Sequence, residues 1–303
     1  MITRFEDFVL WMYVVIDDLW PLLQPYDQRP GPAPRCSDSE LLTLILVGEC
    51  RGWHQETVLL QHWQEHRALF PQLPERSRLN RRRRQLTGAL NTLRQLILAL
   101  LDLALDRQCA IDSLPLPVIQ FHLVPSSPAM ADWQAADARF GWNASKKQTF
   151  FGYKLHLLIA LNGTILDFTL APADRDDLTI GEALLYGHHG LTVVGDKGYI
   201  SAPRAAALAA ERDIHVLTVP RKNQKRQLSK RQRRLQNHWR QRIETVIDQL
   251  SEQFAIGRVR ARTLAGLCAR ILAKLTAHTL CIYLNRLLGK EDHLQIKSLA
   301  FPY

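Results

Sequence analysis

Residues 3–20 place Phe5, Phe8, Val9, Met12, Ile16 and Leu19 at spacings of three and four, which predicts an amphipathic helix, and Pro21 and Pro25 end it. The proline-rich stretch from Pro25 to Pro34 is expected to be a loop. Ser37-Asp38-Ser39-Glu40 then fits a capping box opening a helix that runs to about Gly52. Two more helices are expected over 54–70 and 86–106, the second with Leu86, Leu90, Leu93, Ile97, Leu100, Leu101 and Ala104 on one face. Nothing in the first 107 residues asks for a strand.

The pattern changes at Cys109. A short run to Asp112 enters Ser113-Leu114-Pro115-Leu116-Pro117-Val118, so Asp112 is expected in or just after a first strand. Residues 125–148 read as irregular. Phe150 to Leu161 and Thr164 to Leu170 flank Asn162-Gly163, a strong hairpin signal in which both turn residues take positive φ. A helix is expected over 175–187, a strand over 191–196 ending in Asp196, an alanine-rich helix over 201–212 and a strand from Ile214 to Val219. A further helix carries Trp239, Ile243, Val246, Leu250 and Phe254 as its apolar stripe, and another spans 264–288. Three antiparallel strands followed by alternating helix and strand is the element order of a ribonuclease H-like α/β domain, a mixed sheet flanked by helices. An all-helical N-terminal domain precedes it, giving expected domains of 1–107 and 108–303, the latter with the C-terminal helices.

That order matters for three carboxylates. In a ribonuclease H-like sheet the first strand lies beside the one that follows the first helix, so Asp112 and Asp196 become neighbours, and Glu244 projects towards them from the last core helix. Each has a plainer structural reading: Asp112 and Asp196 as turn caps, Glu244 as the partner of Arg240 four residues earlier. Asp248 is an alternative third ligand. Three such groups close together repel unless cations neutralise them. Oxygen ligands without nearby thiols favour hard ions, so two Mg²⁺ or Mn²⁺ ions are expected, which suits phosphoryl transfer.

Charge supports a polyanionic partner. The 303 residues carry 39 Lys and Arg against 29 Asp and Glu, a net +10. The excess is concentrated. Arg76, Arg78, Arg81, Arg82, Arg83 and Arg84 form one run without an acid, and like charges this dense repel unless phosphates neutralise them. Residues 221–242 hold ten basic residues and no acid, among them Arg221, Lys222, Lys225, Arg226, Lys230, Arg231, Arg233, Arg234 and Arg240. Such a run beside a phosphodiester-cutting centre holds a strand in position rather than reading bases; a disordered linker is the plain alternative. Lys154 and His156 on the hairpin are expected to approach substrate phosphate, with an exposed strand as the alternative. The five scattered cysteines include no C-x-x-C pair, which argues for a reducing compartment and against a zinc module. Arg94, Asp102, Arg270 and Lys274 interrupt the apolar stretches before the ~20 residues of a membrane span, so a cytoplasmic protein is expected.

Four motifs in order carry a resemblance: Ile111-Asp112-Ser113-Leu114-Pro115-Leu116-Pro117, Phe151-Gly152-Tyr153-Lys154-Leu155-His156, Gly195-Asp196-Lys197-Gly198-Tyr199 and Arg242-Ile243-Glu244-Thr245-Val246. With the arginine-dense segment around Asn80 and the ending Gln295-Ile296-Lys297-Ser298-Leu299-Ala300-Phe301, they resemble the DDE transposases of bacterial insertion sequences, most closely the insertion sequence 982 family. The resemblance implies a divalent metal, Asp112, Asp196 and Glu244 as the DDE triad, and double-stranded DNA as partner, both as element ends and as target. A homodimer is expected, because two ends must be paired. A related group of transposases places tyrosine, arginine and lysine around the glutamate where this chain has Asn237, Arg240 and Ser251, so only the arginine matches. The competing classes are a ribonuclease H-like nuclease that cuts without joining and a catalytically lapsed DNA-binding descendant.

Overall fold

The computed structural model describes residues 2–26, 32–101, 107–144, 146–199, 201–218 and 229–302. Along the chain the helices are α1 (Phe5–Leu19), α2 (Asp38–Arg51), α3 (Glu56–Glu65), α4 (Arg76–Gln85) and α5 (Thr87–Leu100). A mixed segment follows: β1 (Gln108–Ile119), α6 (Met130–Ala135), β2 (Arg139–Asn143), β3 (Gln148–Ala160), β4 (Ile165–Pro172), α7 (Asp177–Leu185), β5 (Thr192–Gly195), α8 (Ala202–Arg212) and β6 (His215–Thr218). The chain closes with α9 (Lys230–Glu252), α10 (Leu264–Leu287) and α11 (Lys297–Ala300). Two compact units result, one of residues 1–101 with 249–303, the other of 102–248. The N-terminal segment of the first unit ends at Leu101. The C-terminal helices, however, group with the N-terminal helices and not with the sheet.

In the helical unit α2 and α10 are buried on nearly every side, as uniformly apolar helices must be. The capping box forms as expected: Ser37 Oγ accepts from the Glu40 amide at 3.1 Å, and Glu40 Oε2 accepts from the Ser37 amide at 2.6 Å. Gly52 closes α2 at φ +80°, which a Cβ disfavours. Helix α10 is one uninterrupted helix, long and apolar enough by length and composition to cross a bilayer, but most of it lies inside this unit. Its Lys274 is not a surface break. The ammonium donates to Glu49 Oε2 at 2.5 Å and to the Phe254 carbonyl at 2.6 Å, while Arg83 donates to Glu49 Oε1 at 2.8 Å. Burial by itself raises the Glu49 carboxyl; Lys274, a hydrogen bond from His54 and Arg83 overcome that and hold it well below the carboxylate range.

In the second unit the sheet runs β2-β3-β1-β5-β6, with β4 sharing β3's outer edge. β1 and β3 are antiparallel, as are β3 and β4, while β1 with β5 and β5 with β6 are parallel. This is the ribonuclease H-like order expected from the sequence. Pro115 and Pro117 fit inside β1 because its ladder with β5 stops at Ile111, so that among the described residues no strand pairs with that edge to miss their amides. The Asn162-Gly163 hairpin forms, but only Gly163 takes positive φ (+91°). A bulge accompanies this, since Leu158 pairs with Asp167 and Ile159 with Ile165, leaving Leu166 over. Residues expected to be irregular contain α6 and β2. Cys109, Ile111, Leu158, Leu184, Leu185, Val193, Leu208 and Ile214 form the core of one face.

Removing one partner of a buried ion pair strands the other, at a cost of about 3–5 kcal/mol. Lys274→Met is therefore expected to lower the urea-unfolding free energy of the helical unit by that order. A loss under about 1 kcal/mol would mean that Glu49 is satisfied without Lys274.

Candidate active site

The parallel ladder between β1 and β5 ends at Ile111 opposite Gly195. Asp112 and Asp196 are each the next residue, so the two carboxylates leave adjacent strands at the same level, where strand spacing is about 4.8 Å. Their electrostatics agree. Burial pushes the Asp112 carboxyl up to about 6; the Ser113 amide, donating at 2.7 Å, pulls it down, the charges of Asp196 and Asp177 add to the rise, and Arg240 offsets part of it. Asp196 is exposed at the end of β5, in a turn closed by the Tyr199 amide donating to its carbonyl at 3.0 Å.

Tyr199 anchors that turn from below. Its ring is buried in the core, and a Cβ on Gly181 would stand 2.4 Å from it, so the slot needs a residue without a side chain. Burial raises the phenol above its ordinary range, opposed by a hydrogen bond with Ser113 and reinforced by Asp112, Asp177 and Asp196, so the hydroxyl keeps its proton. It meets His156 Nδ1 at 3.1 Å. Burial drives His156 down to about 4, with Asp177 opposing and Lys154 reinforcing, which keeps the imidazole neutral. A neutral ring accepts from the phenol at Nδ1 and carries its proton on Nε2, where no hydrogen-bond partner stands among the described residues and Asp177 Oδ1 lies 4.0 Å away. Lys154 Nζ donates to Asp177 Oδ1 and to the Arg175 carbonyl, both at 3.0 Å. Lys154 and His156 thus turn inward and brace the carboxylate end of the sheet.

Glu244 is placed differently. Its side chain on α9 is 56% exposed and pairs with Arg240 at 3.8 Å. Arg240 is therefore a neighbour of both Glu244 and Asp112. Among the described residues no three His, Cys, Asp or Glu side chains stand close enough together to hold a metal ion. Asp112 with Asp196 nevertheless offers the right donors for a hard divalent cation: paired oxygens, one on a carboxyl whose negative charge is under-compensated. Asp177 was not singled out by its sequence. It follows Asp176, the N-cap of α7, and an acid at a helix start carries no signal of its own.

The basic residues divide. Leu79, Arg82 and Arg83 are the buried stripe of α4, and Leu86 continues it. Arg82 pairs with Asp38 at 2.5 Å, and Arg83 with Glu49 and, at 3.6 Å, with Glu56, so carboxylates of this chain neutralise them where phosphates were expected. Arg76, Arg78, Arg81 and Arg84 are exposed. Lys230, Arg233 and Arg234 are exposed on the first turns of α9, which also contains Arg231; Arg221, Lys222, Lys225 and Arg226 lie outside the described residues.

Residues 105–280 match the family model of the transposase DDE domain. Searches of curated proteins and of solved structures give no match to the chain.

A carboxyl raised on folding contributes stability that is full below its unfolded pKa of about 3.9 and lost as the pH rises through about 6. Ionised Asp112 then costs roughly 2–3 kcal/mol in the metal-free protein. Asp112→Asn should raise the melting temperature in EDTA by several degrees near pH 7.5 and leave it unchanged near pH 4. An equal shift at both pH values would show that the charge is not what strains the site.

Proposed function

The chain belongs to the transposase DDE domain family, and we propose that it is the transposase of a bacterial insertion sequence of the 982 type, binding the terminal inverted repeats and catalysing DNA strand cleavage and strand transfer. The observation that carries this reading is the pair Asp112 and Asp196, on neighbouring strands one residue past the end of the β1–β5 ladder, where the charge of Asp196 adds to the rise that burial imposes on the Asp112 carboxyl. Asp112 and Asp196 would hold Mg²⁺ or Mn²⁺, with Glu244, which pairs with Arg240 in this structure, as the third carboxylate of the set. When bound, two such ions polarise the attacking and leaving oxygens of an in-line displacement at phosphorus.

The chain's own residues supply the rest. Tyr199 and His156 fix the turn that presents Asp196, and Lys154 restrains Asp177 beside it. The exposed arginines Arg76, Arg78, Arg81 and Arg84, with Lys230, Arg233 and Arg234, contact DNA phosphates, an interaction that sets position and weakens steeply with salt. Hydrolysis at each element end frees a 3′-hydroxyl, and attack of that hydroxyl on a target phosphodiester joins the strands. Two ends must be held together, so the active complex is a homodimer.

The test is cleavage and joining of a labelled terminal-repeat duplex with Mg²⁺. Asp196→Asn should lose both activities by at least about a hundredfold while binding the duplex within about threefold of the parent. A variant that cuts as well as the parent would make Asp196 a turn residue and remove the basis of the reading. Cutting without joining would identify a nuclease.

A further inference from the structure

β2 carries its aromatic residues on the outside. Phe140 lies opposite Phe151 in the β2–β3 register, with ring centroids 5.0 Å apart, and Phe121, in the 3-10 turn Phe121–Ser126, packs edge-on against Phe140 at 6.3 Å. Trp142, two residues on, shares that face of the strand, while Gly141 takes the other, where a Cβ would meet Ala173 at 2.7 Å. Phe151 is buried, but Phe121, Phe140 and Trp142 are 55%, 46% and 59% exposed. An aromatic side chain offers ~150–250 Å², so the three leave roughly 350 Å² of ring surface in water. The backbone is open as well. β2 ends the sheet, and among the described residues no strand pairs with its outer edge. Free edges are ordinarily guarded by lysine, proline or a bulge, none of which occurs in Arg139–Asn143. The strand's single charge, Arg139, is half-buried and paired with Asp137.

We infer that β2 is the seam between two copies of this chain: their β2 strands pair antiparallel about a two-fold axis at Gly141, joining the two sheets and gathering Phe121, Phe140 and Trp142 of both copies into one aromatic cluster. The inference rests on the reading of the active complex as a homodimer and names its surface. A two-fold contact requires a patch complementary to itself. Pairing about Gly141 provides one, because Phe140 then stands opposite Trp142 of the second copy, and Trp142 opposite its Phe140. Aromatic residues directly opposite on antiparallel strands stabilise the pairing, and Arg139 meets the neutral Asn143, so no like charges face each other.

The flanks complement each other in the same register. Asp132 and Asp137 precede β2, and exposed Lys146 and Lys147 follow it, so antiparallel pairing brings the acidic end of one copy level with the basic end of the other. A phosphate backbone laid on the patch would meet those same acids. Area points the same way. A stable interface takes about 800 Å² from each partner, a little over half of it apolar, and the three rings supply most of that apolar share.

Sedimentation equilibrium of the full chain without DNA tests the seam. The parent should dimerise, and Trp142→Ala should weaken the dimer by at least about thirtyfold with an unchanged melting temperature. Leu217→Ala trims an exposed side chain on β6, at the opposite end of the sheet, and should leave the affinity within about threefold. Cross-linking in a Cys268→Ser background, which removes the exposed native thiol, tests the register. Phe140→Cys mixed with Trp142→Cys should give a disulfide-linked dimer under mild oxidation, because Cα atoms directly opposite lie about 4.5–5.5 Å apart. Either variant alone should not, since like positions stand about 8 Å apart across the axis. A monomeric parent, a dimer indifferent to Trp142→Ala, a dimer weakened instead by Leu217→Ala, or a single variant that cross-links with itself overturns the seam. The cleavage assay judges the transposase reading separately: a dimer with this seam that fails to cut a terminal-repeat duplex overturns that reading and leaves the seam standing.

Discussion

Two carboxylates at the same level on adjacent parallel strands is the constraint on which the sheet-bearing unit depends. The β1–β5 ladder places Asp112 and Asp196 abreast, and the repulsion between them has to be met locally. Asp112 is answered by the Ser113 amide and by the charge of Arg240, whereas Asp196 stands in solvent. Behind them the apolar face of the sheet contains a line of polar groups, Ser113, Tyr199, His156, Asp177 and Lys154, each facing the next. Such a line running into a core is costly unless its members satisfy one another, and among the described residues His156 Nε2 is left without a partner. A site of like charges on a rigid sheet edge is strained without its counter-ions, which is the physical reason such a geometry suits cation-dependent chemistry.

How much of this was legible in the sequence depends on the range of the interaction. The Asn162-Gly163 turn, the Ser37 capping box and the strand and helix order from Cys109 onwards are local patterns, and they were readable because they depend on residues within a few positions of one another. The pairing of β1 with β5 followed only from the element order, and through it the meeting of Asp112 with Asp196. β2 was not readable. Its apolar residues face out and its middle residue is a glycine, so the alternation that marks a half-buried strand points the wrong way. Glu244 illustrates the limit from the other side: element order had it projecting towards the two aspartates from the last core helix, and in the structure it takes the plainer partner, Arg240 one turn earlier.

The arginine run around Asn80 shows the same limit in electrostatic form. Local repulsion suggested that all six side chains require an outside anion. Helical spacing, however, sends Arg82 and Arg83 inward along the stripe begun by Leu79, and their carboxylates lie 44 and 34 residues away in sequence. A window that sees only neighbours counts these charges as unpaired. The helical unit uses them as staples, since Glu49 accepts both from Arg83 of α4, 34 residues away, and from Lys274 of α10, 225 residues away. That linkage, invisible to local patterning, is also part of why residues 249–303 fold with the N-terminal helices.

Net charge is therefore a poor measure of what remains for DNA. Arg82, Arg83, Arg270, Lys274 and Lys154 all have carboxylate partners within their own units, and Arg240 is shared between Glu244 and Asp112. A phosphate competing for any of them must first leave a carboxylate bare, which for the buried pairs is prohibitive. Exposed arginines such as Arg76, Arg78, Arg81 and Arg84 meet no such cost, because water already solvates them and a phosphate displaces only water and loosely held counter-ions. The same α4 thus carries two classes of arginine on different faces, the inward pair serving the fold and the outward four available to a polyanion.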